Sequence, residues 1–114
     1  HKFIAERSAE LLGRNDVAAI VRRLYLDGPQ PVAGAPLRVI SCHLGGSSSI
    51  TGIRNGVAIG TSMGLSPQSG LPQNNRVGDL DSAALPCALR RLGLTLEQAE
   101  KQLTKESGLL GLSG

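Results

Sequence analysis

Residues 39–56 read V-I-S-C-H-L-G-G-S-S-S-I-T-G-I-R-N-G. The apolar run Leu37–Cys42 ends in His43, Leu44 and the glycine pair Gly45-Gly46. Ser47, Ser48 and Ser49 follow, and a second alternating segment closes on Asn55-Gly56. This spacing predicts a strand over 37–42, a glycine turn, a second strand from about 47 to 53, and an Asn-Gly hairpin leading into a short strand at Val57–Ile59. The product is a small antiparallel meander. Glycine lets a backbone approach a ligand closely, and successive N–H groups in such a turn form a cradle for an anion. The expected ligand of the turn is a phosphate.

Helical patterns lie on either side. Phe3, Ile4, Ala9, Leu11 and Leu12 mark an amphipathic helix stopped by Gly13. Asn15 or Asp16 is placed to cap a second helix through Val17, Ile20, Val21 and Leu24. Residues 27–36 carry Gly28, Pro29, Pro31, Gly34 and Pro36, a loop. Residues 60–79 hold Gly64, Pro67, Gly70, Pro72 and Gly78 but also Met63, Leu65 and Leu71, which can anchor them. An ordered functional loop is expected there. A helix is predicted over 81–92, capped by Asp79 or Asp81 and stopped by Gly93. Thr95 with Gln98 forms a capping box for a helix from Leu96 to about Glu106. The tail 107–114, S-G-L-L-G-L-S-G, is apolar and glycine-rich.

Composition narrows the function. The chain has 114 residues, 40% hydrophobic, with a net charge of +3. Its length suits about one domain with a modest core. Phe3 and Tyr25 are the only aromatic residues, which argues against modules that stack nucleic-acid bases. Arg22-Arg23 and Arg90-Arg91 fall in helical patterns and read as solvated faces. No nucleic-acid or membrane partner is expected, since no run approaches the ~18 apolar residues of a membrane span. Cys42 and Cys87 read as buried free thiols in a cytoplasmic protein.

Four segments occur in the order found in acetate kinases: H-L-G-G-S-S-S-I (43–50), T-S-M-G-L-S-P-Q-S-G-L (61–71), R-V-G-D-L-D (76–81) and S-G-L-L-G-L-S-G (107–114). Propionate and butyrate kinases share much of this pattern. The opening H-K-F-I-A-E-R-S-A-E-L-L is similar to the end of that family's H-G-T-S-H-K motif and the helix after it. The resemblance spans most of the chain, excepting about 14–38. It implies an α/β fold: part of a ribonuclease-H-like domain of the actin, hexokinase and acetate kinase superfamily, with short antiparallel strands and flanking helices. It also implies a piece of a longer enzyme, residues 1–36 being a helical lead-in and 37–114 the phosphate-loop and arginine-loop region of the C-terminal domain.

The resemblance further implies transfer of the γ-phosphoryl group of ATP, with Mg²⁺, to a short-chain carboxylate such as acetate, by a cytoplasmic homodimer. His43, Leu44, Gly45, Gly46 and Ser47 would bind the ATP phosphates. Arg76 would stabilise the transferring group, and Pro67 would line the carboxylate pocket. No metal ligand is assigned, and the family's catalytic carboxylate does not match any residue here, so the 114-residue chain alone is expected to be inactive. Asp79 and Asp81 read as helix caps. The family commonly has H-L-G-N-G where this chain has H-L-G-G-S. If the backbone there required positive φ, Ser47 would be strained. The alternative is a non-catalytic nucleotide- or phosphate-binding module with altered loops.

Overall fold

A computed structural model describes residues 1–114. The elements are α1 (Lys2–Leu11), α2 (Asn15–Asp27), β1 (Arg38–Leu44), β2 (Ser48–Arg54), β3 (Val57–Thr61), α3 (Ala84–Leu92), α4 (Leu96–Lys105) and α5 (Gly108–Ser113). The three strands form one sheet in the order β1-β2-β3. The chain divides into two compact units, one of residues 1–42 with 50–61, the other of residues 43–49 with 62–114.

In the first unit α1 and α2 pack on each other. Their contact is built from small residues: Ala5 and Ala9 meet Val17, Ala18 and Val21, with Ile53 of β2 completing the buried cluster. Val32, Leu37 and Val39 pack against it. The expected cap of α2 is not used. The helix begins at Asn15 itself, preceded by Arg14 with no side-chain cap. Arg14 instead grips Asp16 at 3.0 Å and the carbonyl of Ala35 at 2.8 Å.

The Asn55-Gly56 hairpin forms as predicted. Both residues have positive φ, 51° and 82°, as a two-residue turn matched to strand twist requires. Asn55 also pins the start of the sheet: its Oδ1 accepts the Leu37 N–H at 2.9 Å, and its own N–H donates to the Leu37 carbonyl at 2.8 Å. A side chain on Gly56 would overlap Val21. β2 and β3 run antiparallel with Thr51 opposite Thr61, and a bulge falls between Gly52 and Ile53.

Cys42 and Cys87 are free, as expected, but exposed, not buried. Along β1 the inward positions are Val39 and Ser41. Strand alternation therefore turns Ile40 and Cys42 outward. On α3 no residue is fully buried.

Ion pairs of Arg22 add to the apolar contact between α1 and α2, and a further pair lies within α1. Arg22 bonds Glu6 at 2.6 Å and also Glu10, and Arg7 bonds Glu10 at 2.8 Å. The hydrogen bond from Arg7 first, and then the charge of Arg22, hold the Glu10 carboxyl below its ordinary 4.5. Asp16 is likewise held down, chiefly by its hydrogen bond from Arg14. A depressed carboxyl contributes stability above its unfolded pKa and loses it as pH falls through the folded value. The helical pair is therefore expected to melt at lower temperature as pH drops below about 4.5, by circular dichroism, and less steeply in high salt. A melting temperature independent of pH in that range would contradict this.

In the second unit the Thr95–Gln98 capping box is present. Gln98 N–H donates to Thr95 Oγ1 at 3.2 Å, and Thr95 N–H donates to Gln98 Oε1 at 2.8 Å. The tail is not a loose end but the short helix α5. Asp81 accepts the N–H of Ala83 just ahead of α3 at 2.8 Å. Asp79 caps nothing. Its Oδ1 accepts the Gly70 N–H at 2.7 Å, and its own N–H donates to the Gly70 carbonyl at 2.8 Å.

Candidate functional site

β1 runs further than its apolar stretch suggests, ending at Leu44. His43 and Leu44 are thus its last residues, and alternation sends them to opposite faces. The turn is Gly45-Gly46-Ser47. None of the three has positive φ, because Asn55 is the only non-glycine residue with that geometry and neither glycine shares it. The strain anticipated at Ser47 is absent. What the turn needs at Gly45 is space: a Cβ there would sit 3.0 Å from His43 Nε2 and 3.4 Å from the Ser47 carbonyl. The bare glycine leaves room for the imidazole, which is exposed. The N–H groups of Gly45, Gly46 and Ser47 donate to no backbone carbonyl. Unpaired amides at a turn are the kind of donors an anion can use.

The loop carrying Arg76 is ordered by its own polar groups. Ser69 Oγ accepts the Gly64 N–H at 2.6 Å and donates to the Ser66 carbonyl at 2.9 Å. The Gln73 N–H donates to the Arg76 carbonyl at 3.0 Å, and the Val77 N–H to Leu103 of α4 at 2.9 Å. α5 then clasps the loop. The N–H groups of Leu109 and Leu110 donate to the carbonyls of Gln73 and Asn74, each at 2.8 Å, and Ser107 N–H to that of Asn75 at 3.2 Å. The first turn of a helix has N–H groups without intrahelical partners, and here the loop takes them. Gly108 is buried against the backbone of Gln73 and Arg76.

Arg76 reaches back to the turn. Its Nη1 donates to Ser47 Oγ and, at 3.4 Å, to the Pro67 carbonyl. Both acceptors are neutral, and none of the chain's ion pairs includes Arg76. Arg76 and Pro67 line a cleft of about 390 Å³ with Gln68, Asn75, Thr104 and Lys105. Two cations and no carboxylate face it, so it favours an anion. A second cleft of about 380 Å³ is lined by Leu44, Gly45, Gly46 and Ser48 of the strand turn with Leu71, Pro72, Asn74 and Leu109.

Of the residues singled out from sequence, Leu44, Gly45 and Gly46 thus share one cleft, Pro67 and Arg76 the other, and Ser47 touches Arg76. His43 lines neither. Sequence reasoning missed Gln73, Thr104, Lys105 and Gly108. Gln73 and Gly108 act through partners distant in the chain, and Thr104 and Lys105 reach the cleft only through the fold, so local spacing marks none of them.

Residues 30–114 match the Acetokinase family. Acetate kinase of Geobacillus kaustophilus (strain HTA426) is 39% identical over 114 residues, covering 100% of this chain and 24% of that protein. Acetate kinase of Staphylococcus aureus (strain JH9) is 41% identical with the same coverage. Among solved structures, acetate kinase of Porphyromonas gingivalis superposes with a TM-score of 0.73 at 32% identity, over 100% of this chain and 24% of that one. A propionate kinase from Francisella tularensis subsp. tularensis SCHU S4 gives 0.74 at 32% identity with the same coverage. The chain spans 24% of the length of each of these relatives.

Proposed function

We propose a reaction for this chain from one premise: it belongs to the acetokinase family. Its mixed α/β fold is of the actin/hexokinase-like kind that acetate and propionate kinases share. We read it as part of a carboxylate kinase. Residues 1–36 are the helical lead-in and 37–114 the phosphate-loop and arginine-loop region of its C-terminal domain. In the reaction a carboxylate oxygen of a short-chain acid attacks the γ-phosphorus of ATP, the bond to the bridging oxygen breaks, and ADP leaves with that electron pair. The product is an acyl phosphate.

The observation that carries this reading is Arg76, a guanidinium without a carboxylate partner, held against the turn whose amides have no backbone acceptor. These residues fit the polyphosphate of ATP. Gly45, Gly46 and Ser47 offer backbone donors at the turn, and His43 stands at the strand end beside them. Arg76 now donates to a hydroxyl and a carbonyl; a phosphoryl oxygen is a stronger acceptor, so the exchange is favourable. Phosphoryl transfer depends mainly on placement and charge stabilisation. Arg76 supplies the charge, Lys105 adds to the field of the cleft, and Pro67 offers an apolar wall to the acid's alkyl group.

No three His, Cys, Asp or Glu side chains gather in this chain; the Mg²⁺ of the proposed reaction, which needs only one or two carboxylates beside the ATP phosphates, is assigned no ligand among its residues. The catalytic carboxylate has no counterpart among these residues either, so the 114-residue chain by itself is proposed to be inactive. The complete enzyme is read as a cytoplasmic homodimer, in keeping with the free thiols of Cys42 and Cys87 and the exposed Leu109, Leu110 and Leu112. No helix is long and apolar enough to cross a membrane.

The test is ATP-dependent acyl hydroxamate formation by the complete protein with acetate, propionate and butyrate. Product is expected with at least one acid. ATP binding without product from any of them would favour the non-catalytic module instead.

A further inference from the structure

We infer that Gln73 is a positioning residue that holds the phosphate turn and the arginine cleft at a fixed spacing, so that phosphoryl donor and acceptor meet in register. This rests on the proposed reaction. Gln73 is 0% exposed and is among the chain's largest fully buried side chains. A buried amide is costly unless its polar atoms are satisfied, and here both are. Oε1 accepts the Ser48 N–H at 3.2 Å, and Nε2 donates to the Pro67 carbonyl at 2.6 Å. The orientation of the amide is unambiguous, because a backbone N–H can only donate and a proline carbonyl only accept.

The two partners belong to different clefts. Ser48 lines the one at the turn and Pro67 the one at Arg76. One buried side chain therefore ties a wall of each to the other. It also shares the Pro67 carbonyl with Arg76 Nη1, and its own backbone bonds the Arg76 carbonyl at 3.0 Å. A shift of Gln73 would move the turn, the proline and the arginine together. The bond to Ser48 further withdraws that N–H from the anion cradle, leaving it to Gly45, Gly46 and Ser47. Only a side chain of this length with one donor and one acceptor does this. Methionine has no comparable group, an ionised carboxylate has no donor, and asparagine is one methylene shorter.

The experiment uses Gln73→Met and Gln73→Glu in the complete protein. Gln73→Met conserves volume and removes both bonds. It is expected to lower kcat about 10²-fold, with smaller changes in the KM for either substrate, as misplacement of reacting groups does. Gln73→Glu supplies a readout that mere packing would not move. Burial opposite a carbonyl favours the protonated carboxyl, which restores both bonds, one as acceptor and one as donor. The ratio of variant to wild-type kcat/KM is expected to rise several-fold from about pH 8 to about pH 6. A flat or falling ratio, or wild-type kcat in Gln73→Met, overturns the inference. If Gln73→Met fails to fold, the pH ratio decides alone. If the wild type phosphorylates no carboxylate, the proposed reaction fails. Calorimetric titration with ATP then decides Gln73 separately: affinity of Gln73→Glu that recovers toward wild type at the lower pH supports it, and affinity that does not recover overturns it.

Discussion

Replacing Arg76 by alanine in the complete protein is expected to lower kcat about 10³-fold, with a far smaller change in the KM for ATP. The size follows from the chemistry. An arginine that meets the charge of a transferring phosphoryl group is worth 10³–10⁵ in rate, in round terms, and a single preorganised donor to a developing oxyanion about 10²–10³. The sign follows from the structure. Arg76 is half-buried, faces a cleft without a carboxylate, and donates from Nη1 to Ser47 Oγ and the Pro67 carbonyl. It is held in place but not neutralised. Arg76→Lys should recover only part of the loss, because an ammonium keeps the charge and lacks the planar fork. The hydroxamate assay checks both variants, and wild-type turnover in Arg76→Ala would remove the residue from the reaction.

The second large effect is structural. Gly108→Ala is expected to destabilise the second unit by about 3 kcal/mol or more. Gly108 has φ of +62°, and a Cβ would overlap the Gln73 carbonyl and approach the Arg76 carbonyl to 2.6 Å and its nitrogen to 3.0 Å. Every atom in the way is backbone, so no side chain can swing aside. Gly93→Ala is the comparison. Its φ is +64° with nothing within 4 Å, so it carries backbone strain alone, about 1 kcal/mol. Hydrogen exchange at the Leu109 and Leu110 amides, which bond Gln73 and Asn74, should quicken by orders of magnitude in Gly108→Ala and far less in Gly93→Ala. Equal exchange in the two variants would show that the clasp does not depend on this close approach.

These two residues show what could be read in advance. Arg76 could be singled out in advance as a candidate because its motif is local: R-V-G-D-L-D carries the family pattern in six consecutive letters. Gly108 sits in an equally recognisable motif, yet its role was not legible, since the tail read only as apolar and glycine-rich. Its function is to let α5 lie on the backbone of a loop some thirty residues earlier, and the local sequence does not say which backbone that is. The cysteines illustrate the same limit from the other side. An apolar strand segment announces a buried face but not its parity, and Ser41 rather than Cys42 points inward. Asp79 was assigned a local task, capping the following helix, and performs a non-local one, bracing Gly70.

The sequence by itself determined the elements and the family. The hairpin at Asn55-Gly56, the capping box at Thr95 and Gln98, the glycine turn after β1 and the order of four motifs all depend on neighbours within a few positions, where backbone sterics and local hydrogen bonds decide. Only the tertiary structure decided that Ser47 is unstrained and holds Arg76, that Gln73 joins the two clefts, and that the tail clasps the arginine loop. Those are contacts between residues far apart in the chain. Their energies come from burial and from polar groups finding distant partners, and a linear pattern does not specify which distant group is met.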